Sequence, residues 1–537
     1  MARVIAASST GTAFEWYDFF IFGSLTPVIA KTFLAGLDPT SALIAALALF
    51  AVGFAFRPLG AIIFGAMGDR VGRKATFLTT VSLMGGATFA IGLLPTYATA
   101  GPLAPILLIF LRICQGTALG GEYGGAAIYV AEHAPDHKRG EATGWIQSSA
   151  SIGLLAALLV IVATRTALGE EAFSAWGWRI PFLASALLLA ISLWMRVKLS
   201  ESPTFAKLRD EGELSQAPLR EAFARRDSLK QVLIAFFAIM CAQGAVWYFT
   251  FFYIQVFLEK SLGLPAATKD FLLIAMTLVS APLYVFFGWL SDRVGRKPVM
   301  LGGMLLALAL YFPGSHLIAS SVNPALVEAQ RAAPVVVVTD PATCAVQFDP
   351  TGTRRFDSGC DIAKSLLVAK GISYAEAASP DGSTAIRIGT GTLAITGGEA
   401  LDGPGLKALK TATGDKLKAQ LVAAGYPASA DPKAVHYPTL LLILFGFVVA
   451  ATALYGPQAA ALVEMFPTRI RYTALSLPYH IGTGWVGGFL PVTSFAIVAI
   501  TGDIYAGLWY AVAFTALSVV VTILFLKETK GKPLAEV

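Results

Sequence analysis

"GAMGDRVGRK" (65–74) and "GWLSDRVGRK" (288–297) end in the same six residues, and each follows a long apolar stretch, about half the chain apart. The glycines permit a tight turn between two helices. Asp69 and Asp292 are expected where the next helix begins, a place that favours negative charge, beside Arg70, Arg73, Arg293 and Arg296. A charge cluster of this kind can hold two helices together in one conformation and release them in another. As a static turn, the same residues would only set topology. Repeats of this type mark chains built from two six-helix halves.

Outward from the repeat, the composition excludes an ordinary soluble domain. Of 537 residues, 56% are hydrophobic and only 14% are charged, and the mean hydropathy is +0.67. Soluble domains carry about 25% charged residues. The expected fold is therefore an all-α membrane protein with twelve transmembrane helices in two six-helix halves. The spans are expected near 13–30, 41–66, 75–95, 103–131, 142–163, 179–198, 231–258, 269–290, 298–319, 437–463, 472–500 and 506–526. The first is too long for a signal peptide and lacks a cleavage site, so it reads as a retained span.

Lys and Arg crowd the connections after spans two, four, six, eight and ten and the tail, which puts both termini in the cytoplasm. The net charge of +6 is this topology signal and points to no nucleic acid. The expected divisions are an N-terminal half (1–198), a cytoplasmic linker (199–230), a C-terminal half (231–319 and 437–537) and an extra-cytoplasmic insertion (320–436).

Acids inside spans are costly, about 2.5–3.5 kcal/mol on insertion scales, and mark function by default. "GTAFEWYDFF" (11–20) carries two, Glu15 and Asp18, on one helical face. The expected partner of Asp18 is Arg112 in span four, with Arg57 a second cation in the same position. An acid beside Arg keeps its charge, whereas one left alone in low dielectric takes up a proton. If cargo draws the Arg away, the freed acid protonates, and the pair becomes a proton switch; otherwise it is a permanent structural pair. Glu15 reads as the more peripheral, solvated or structural acid.

Glu122, in "GGEYGG", lies ten residues past Arg112, roughly 15 Å along a helix. It reads as a second proton or substrate site, or as an interhelical hydrogen bond among close-packed glycines. Arg57, before Pro58, is either an anchor for a substrate carboxylate or a snorkelling end residue. Tyr17, Gln243, Tyr248, Tyr455, Gln458 and His480 complete the candidate substrate-binding set, as aromatic and amide groups suited to a cavity wall. Trp247 fits this wall or plain packing.

Together with the doubled loop, "EWYDFF", "FAFRPLGAIIFG", "RICQGTALGGEYGGAAIYVAEHAP", "AWGWRIPF", "ESPTF", "YGPQAAALVEMFPTRIRY" and "GGFLP" occur in order over the spans. The chain thus resembles the major facilitator superfamily, and within it the metabolite:proton symporter group, which carries shikimate, 2-oxoglutarate, citrate, proline or betaine. The resemblance implies alternating access in the cell inner membrane, driven by the proton gradient without a cofactor, with a small organic anion and protons as partners and a monomer as the working unit. It also implies that Glu464, near Arg469, joins Asp69, Arg70, Arg73, Asp292, Arg293 and Arg296 in a gating charge cluster. His480, after the tyrosine of "LPYHIGTGW", departs from the group's usual amide.

The insertion is the other departure. "PVVVVTD" reads as a strand, and "CDIAKSLLVAKG" and "GLKALKTATGDKLKAQLVAAG" read as helices ending at glycines, giving a small α/β unit between spans nine and ten. Cys344 and Cys360 both fall in it and would pair in an oxidising compartment. No metal-ligand spacing, nucleophile triad or phosphate loop is present, so the expectation is no enzyme, no catalytic residue and no metal. The leading reading is a proton-coupled importer of a small organic acid. A carrier of a zwitterion such as betaine or proline is the alternative, and a ligand sensor with transporter-like spans a third. The chain stops soon after Lys532, without a long coiled coil, which counts against an osmosensor.

Overall fold

The computed structural model describes residues 2–34, 49, 52–197, 201–345 and 355–534. Among them, nine helices are long and apolar enough to cross a bilayer. The helices used below are α1 (Ala2–Ser24), α2 (Arg57–Arg70), α3 (Arg73–Leu93), α4 (Leu103–His133), α5 (Arg139–Leu168), α6 (Arg179–Val197), α7 (Arg226–Ser261), α8 (Ala266–Val294), α9 (Arg296–Val322), α10 (Tyr437–Met465), α11 (Arg471–Ile481) and α12 (Leu508–Phe525). Of these, α1, α2 and α11 fall outside the nine. The first part of expected span two, 41–48, lies outside the described residues. Helix α1 starts at Ala2, well before its apolar run, because the leading residues are helix-tolerant. Helix α11 passes through a π-helical stretch at Gly482–Gly487 before Leu490–Thr501.

The two repeats occupy matching places. Gly72 (φ +125°) and Gly295 (φ +113°) turn the chain between α2 and α3 and between α8 and α9, in a conformation that side-chain-bearing residues rarely adopt. Helix α2 packs on α11 and α8 packs on α5, so the halves meet along two related crossings. Both are lined by glycine. A Cβ on Gly144 would sit 2.9 Å from the Tyr284 carbonyl oxygen, and one on Gly65 would sit 3.1 Å from Thr473 Cα.

Between α9 and α10 lies a small α/β unit. Its sheet runs β2 (Tyr374–Ala378), β1 (Val335–Thr339), β3 (Thr384–Ile388), β4 (Gly391–Ile395), with β1 and β2 parallel and the other pairs antiparallel. Helix Gly359–Ala369 makes the parallel crossover and Gly403–Ala423 packs on β4. A disulfide joins Cys344 to Cys360. Strand β1 and both helices match expectation; β2, β3 and β4, rich in Ala and without a β-branched run like that of β1, carry no comparable signal.

Within the N-terminal part, α2 and α4 approach so closely that a Cβ on Gly60 would meet the Thr117 carbonyl, and one on Gly120 the Arg57 carbonyl. Gly60→Ala and Gly120→Ala should each cost about 1–3 kcal/mol by overpacking. Gly86→Ala, which meets nothing within 4 Å, should not. Melting curves of the detergent-solubilised variants check the contrast.

Candidate functional site

Where the halves meet, Arg57 is only 1% exposed at the start of α2. Its guanidinium lies 4.5 Å from the Phe54 ring, 4.7 Å from Phe19 and 6.0 Å from Trp16. Its Nε and Nη2 have no hydrogen-bond partner among the described residues. From the other half Tyr248 and His480 face it. Both ring nitrogens of His480, both amide atoms of Gln458 and Oε1 of Gln243 are likewise buried without partners. Such orphaned polar atoms call for a specific explanation, since burying them unbonded costs free energy.

Aromatic rings close the surroundings. Trp247 Nε1 donates to Tyr284 Oη at 2.8 Å, and the Tyr455 and Tyr479 hydroxyls are 3.0 Å apart. Tyr479 stacks on Tyr123 at 3.6 Å, and Gln147 ties Tyr123 Oη (2.7 Å) to the Tyr455 carbonyl (3.1 Å). Trp16 and Phe20 of one half meet Trp247 and Phe252 of the other. In α7, π-helical turns at Ala235–Met240 and Phe249–Tyr253 flank the segment Cys241–Tyr248 that presents Gln243 and Tyr248, and such turns recur at functional sites. Tyr17 is not part of this wall: its hydroxyl donates to the Pro181 carbonyl of α6 at 3.0 Å, so the residue points away from the other half.

The expected Asp18–Arg112 pair is not formed. Arg112 turns to the Leu49 carbonyl (Nε, 3.2 Å) and to Gln115 Oε1 (2.8 Å), with its guanidinium 4.1 Å from the Phe22 ring. Gln115 in turn donates to Thr88 Oγ1 at 2.8 Å. Asp18, 4% exposed, faces the hydroxyls of Thr88 and Ser185, and its Oδ1 has no partner among the described residues. Amide and hydroxyl groups thus stand between acid and base, and an aromatic ring, a carbonyl and the Gln115 amide oxygen engage the guanidinium.

Glu15 is not peripheral. It is 3% exposed and lies 2.9 Å from Arg196 Nη2, which is also 3.1 Å from Glu122 Oε1. Arg196, at the end of α6, carried no sequence signal beyond that of a helix-end cation.

The charge cluster expected to gate spans both repeats, and its two aspartates sit in the last turns of α2 and α8 rather than at the start of the next helix. Asp69 accepts from the Tyr472 and Thr473 amides at the start of α11 (3.2 and 2.9 Å) and pairs with Arg73 at 3.1 Å. Asp292 accepts from the Gly140 and Glu141 amides at the start of α5 (both 2.8 Å) and pairs with Arg296 at 2.5 Å. Glu464 binds Arg296 (3.0 Å) and, across the halves, Arg139 (2.8 Å); Glu132 binds Arg471 across the halves at 2.7 Å. Three expected members lie outside. Arg70 donates to the Gln216 carbonyl, Arg293 sits over the Trp289 ring at 4.0 Å, and Arg469 pairs with Glu221 of the linker at 2.9 Å. These three side chains extend outward from the turns, where solvent and the linker receive them. Glu132 and Arg139 lie outside the expected cluster, although their spacing marks them: Glu132 and Arg139, like Glu464 and Arg471, stand seven residues apart.

Comparison with known proteins bears on this geometry. The Major Facilitator Superfamily sequence profile matches residues 9–329, and the Sugar (and other) transporter profile matches 419–537. A proline/betaine transporter of Salmonella typhimurium is 37% identical over 331 residues, covering 60% of this chain and 66% of its own length. The inner membrane metabolite transport protein YhjE of Escherichia coli is 37% identical (60% and 74% covered). The shikimate transporter of the same organism is 36% identical (58% and 71%). The matched stretch thus spans just under two thirds of the proline/betaine transporter. Among solved structures, the proton:xylose symporter XylE superposes with a TM-score of 0.63 at 16% identity, covering 99% of this chain and 97% of its own, which speaks to the fold alone.

The two aspartates should act as paired latches. In a background lacking Cys114 and Cys241, Asp69→Ala with Asp292→Ala should raise maleimide labelling of a cysteine placed at buried Ser476 at least tenfold, from the face bearing the repeats. Each lost cap removes up to ~2 kcal/mol from the closed state. Labelling rates read the outcome.

Proposed function

The chain belongs to the major facilitator superfamily, and from that premise we propose that it is a proton-coupled symporter importing a small carboxylate-bearing solute by alternating access. The observation that carries this reading is the set of buried polar atoms on Arg57, Gln243, Gln458 and His480 that lack a hydrogen-bond partner among the described residues, walled by aromatic rings between the halves. Arg57 is the anchor for the solute's carboxylate, since a guanidinium offers a charged fork to it. The amides and His480 complete the polar lining, and Tyr248 and Tyr455 supply its walls. The solute leaves chemically unchanged, and no cofactor beyond the proton gradient enters.

Asp18 is the proton acceptor in this scheme, a buried carboxyl without a cation against it, linked to Arg112 through Thr88 and Gln115. Residues 1–198 form one rocking half and 231–319 with 437–537 the other, with 199–230 as the connection. The face with the repeats is the cytoplasmic one, with both termini on that side. The insertion, 320–436, lies outside, where its disulfide is at home. One molecule contains both halves and suffices.

A second reading concerns the solute's other end. The rings of Trp16, Phe20, Trp247 and Phe252 favour an alkylammonium group by cation–π contact, which makes a zwitterion the competitor to a simple organic anion. Proteoliposomes loaded with the protein and given labelled betaine, proline or shikimate discriminate the readings. An outside-acid gradient should drive accumulation of at least one. Arg57→Lys should raise its KM about tenfold, near 1.4 kcal/mol, by losing the bidentate fork. Asp18→Asn should sharply reduce the gradient's effect. Accumulation independent of pH gradient defeats symport.

A further inference from the structure

We propose that Glu15, Glu122 and Arg196 form a second proton-binding site, in which two carboxylates share one proton around a single guanidinium while the repeat-bearing face is closed. The proposal rests on the symport reading above and adds a site on three helices, α1, α4 and α6. The three side chains are 3%, 0% and 1% exposed, and one nitrogen, Arg196 Nη2, lies 2.9 Å from Glu15 and 3.1 Å from Glu122. With both acids ionised, the cluster would hold two negative charges against one positive. An unbalanced buried charge costs several kcal/mol. One proton brings the count to neutrality, as happens where two carboxylates share a site.

Among the described residues, the remaining neighbours do not supply the missing charge. The Phe77 ring of α3 covers Arg196 at 3.6 Å, and Gly11, one face of α1, leaves room for the guanidinium. Both oxygens of Glu15, Glu122 Oε2, and Arg196 Nε and Nη1 have no hydrogen-bond partner among the described residues. Arg112, on the helix of Glu122, is engaged by Leu49 and Gln115. From α11, Tyr472 faces the cluster; Asp69 and Arg73, the other charged groups around Tyr472, already neutralise each other at 3.1 Å.

Tyr472 ties this site to the gate. Its hydroxyl donates to the carbonyl of Gly121, next to Glu122; its amide is held by Asp69; its ring packs against Gly68, Gly124 and Gly125. When α11 leaves α2 and α4, that cover leaves with it. Water then reaches the carboxylates, the second negative charge becomes tolerable, and the proton departs on the side to which the gate has opened.

Infrared pH titration of the reconstituted protein tests this without any solute. In an Asp18→Asn background, a protonated-carboxyl carbonyl band should remain and titrate. Adding Glu15→Gln or Glu122→Gln should each remove it, since either leaves a balanced one-to-one pair that holds no proton; that same balance keeps both variants foldable. The Asp69→Ala, Asp292→Ala variant, with the gate opened, should also lose the band. Persistence of the band in both glutamine variants overturns the site, and persistence in the opened variant overturns its link to the gate. If wild-type vesicles show the band but no gradient-driven uptake of betaine, proline or shikimate, the symport reading fails while the site stands.

Discussion

Two carboxylates that reach across to the opposite half, Asp69 and Asp292, are the contacts on which the closed arrangement depends. Each accepts the second and third amides of a helix belonging to the other half, α11 for Asp69 and α5 for Asp292. Those amides have no partner within their own helix. The caps are therefore satisfied only while the halves touch, and separating the halves exposes both helix ends to water, which can replace the carboxylates. This makes the contact strong enough to hold and cheap enough to release, while the buried pairs Glu132–Arg471 and Arg139–Glu464 must part in the same movement.

A second layer steadies the first and stays within each half. Glu201 accepts from the Lys74 amide at 3.3 Å, and Glu528 accepts from those of Arg296 and Lys297 at 2.9 and 3.0 Å, so each turn carrying a repeat is anchored at the start of its own following helix. The adjoining hydroxyls, Ser202 and Thr529, donate to Glu132 and Glu464, the two acids that make ion pairs across the interface. "ESPTF" after the first half and "ETKGK" near the end of the second thus do the same job. The C-terminal segment goes further. The carbonyls of Lys532 and Leu534 accept from Arg139 and Arg471, the same two arginines that cross the interface.

What could be read in advance followed physical periodicity. The repeats, the long apolar helices and the two helices of the insertion were legible because each announces itself within a short window. The charge cluster was legible as a set of residue types and only half legible as contacts: Asp69, Asp292, Arg73, Arg296 and Glu464 converge, but which arginines turn inward depends on where the opposite half lies. The same limit explains the acids of α1. Three positions separate Glu15 from Asp18 on one face, yet they meet different neighbours, Arg196 in one case and two hydroxyls in the other. Nothing local could reveal that Arg196 reaches back to α1, because the gap that admits it is made by Gly11 on another helix.

The insertion is fastened by its backbone to one half. Tyr374 donates to the Gly502 carbonyl (2.8 Å), Ala430 to that of Gly263 (3.0 Å) and His436 to that of Ser321 (2.8 Å), and Asn323 Nδ2 reaches the Leu262 carbonyl (2.9 Å). All four acceptors lie at ends of helices on the C-terminal side of the chain, away from the repeats. The disulfide shortens the unfolded excursion of the unit by closing a loop, a constraint worth about 3 kcal/mol for a loop near this length. A unit held at several backbone points and stiffened internally moves with the helices that hold it. Its position is therefore set by the helix ends that hold it.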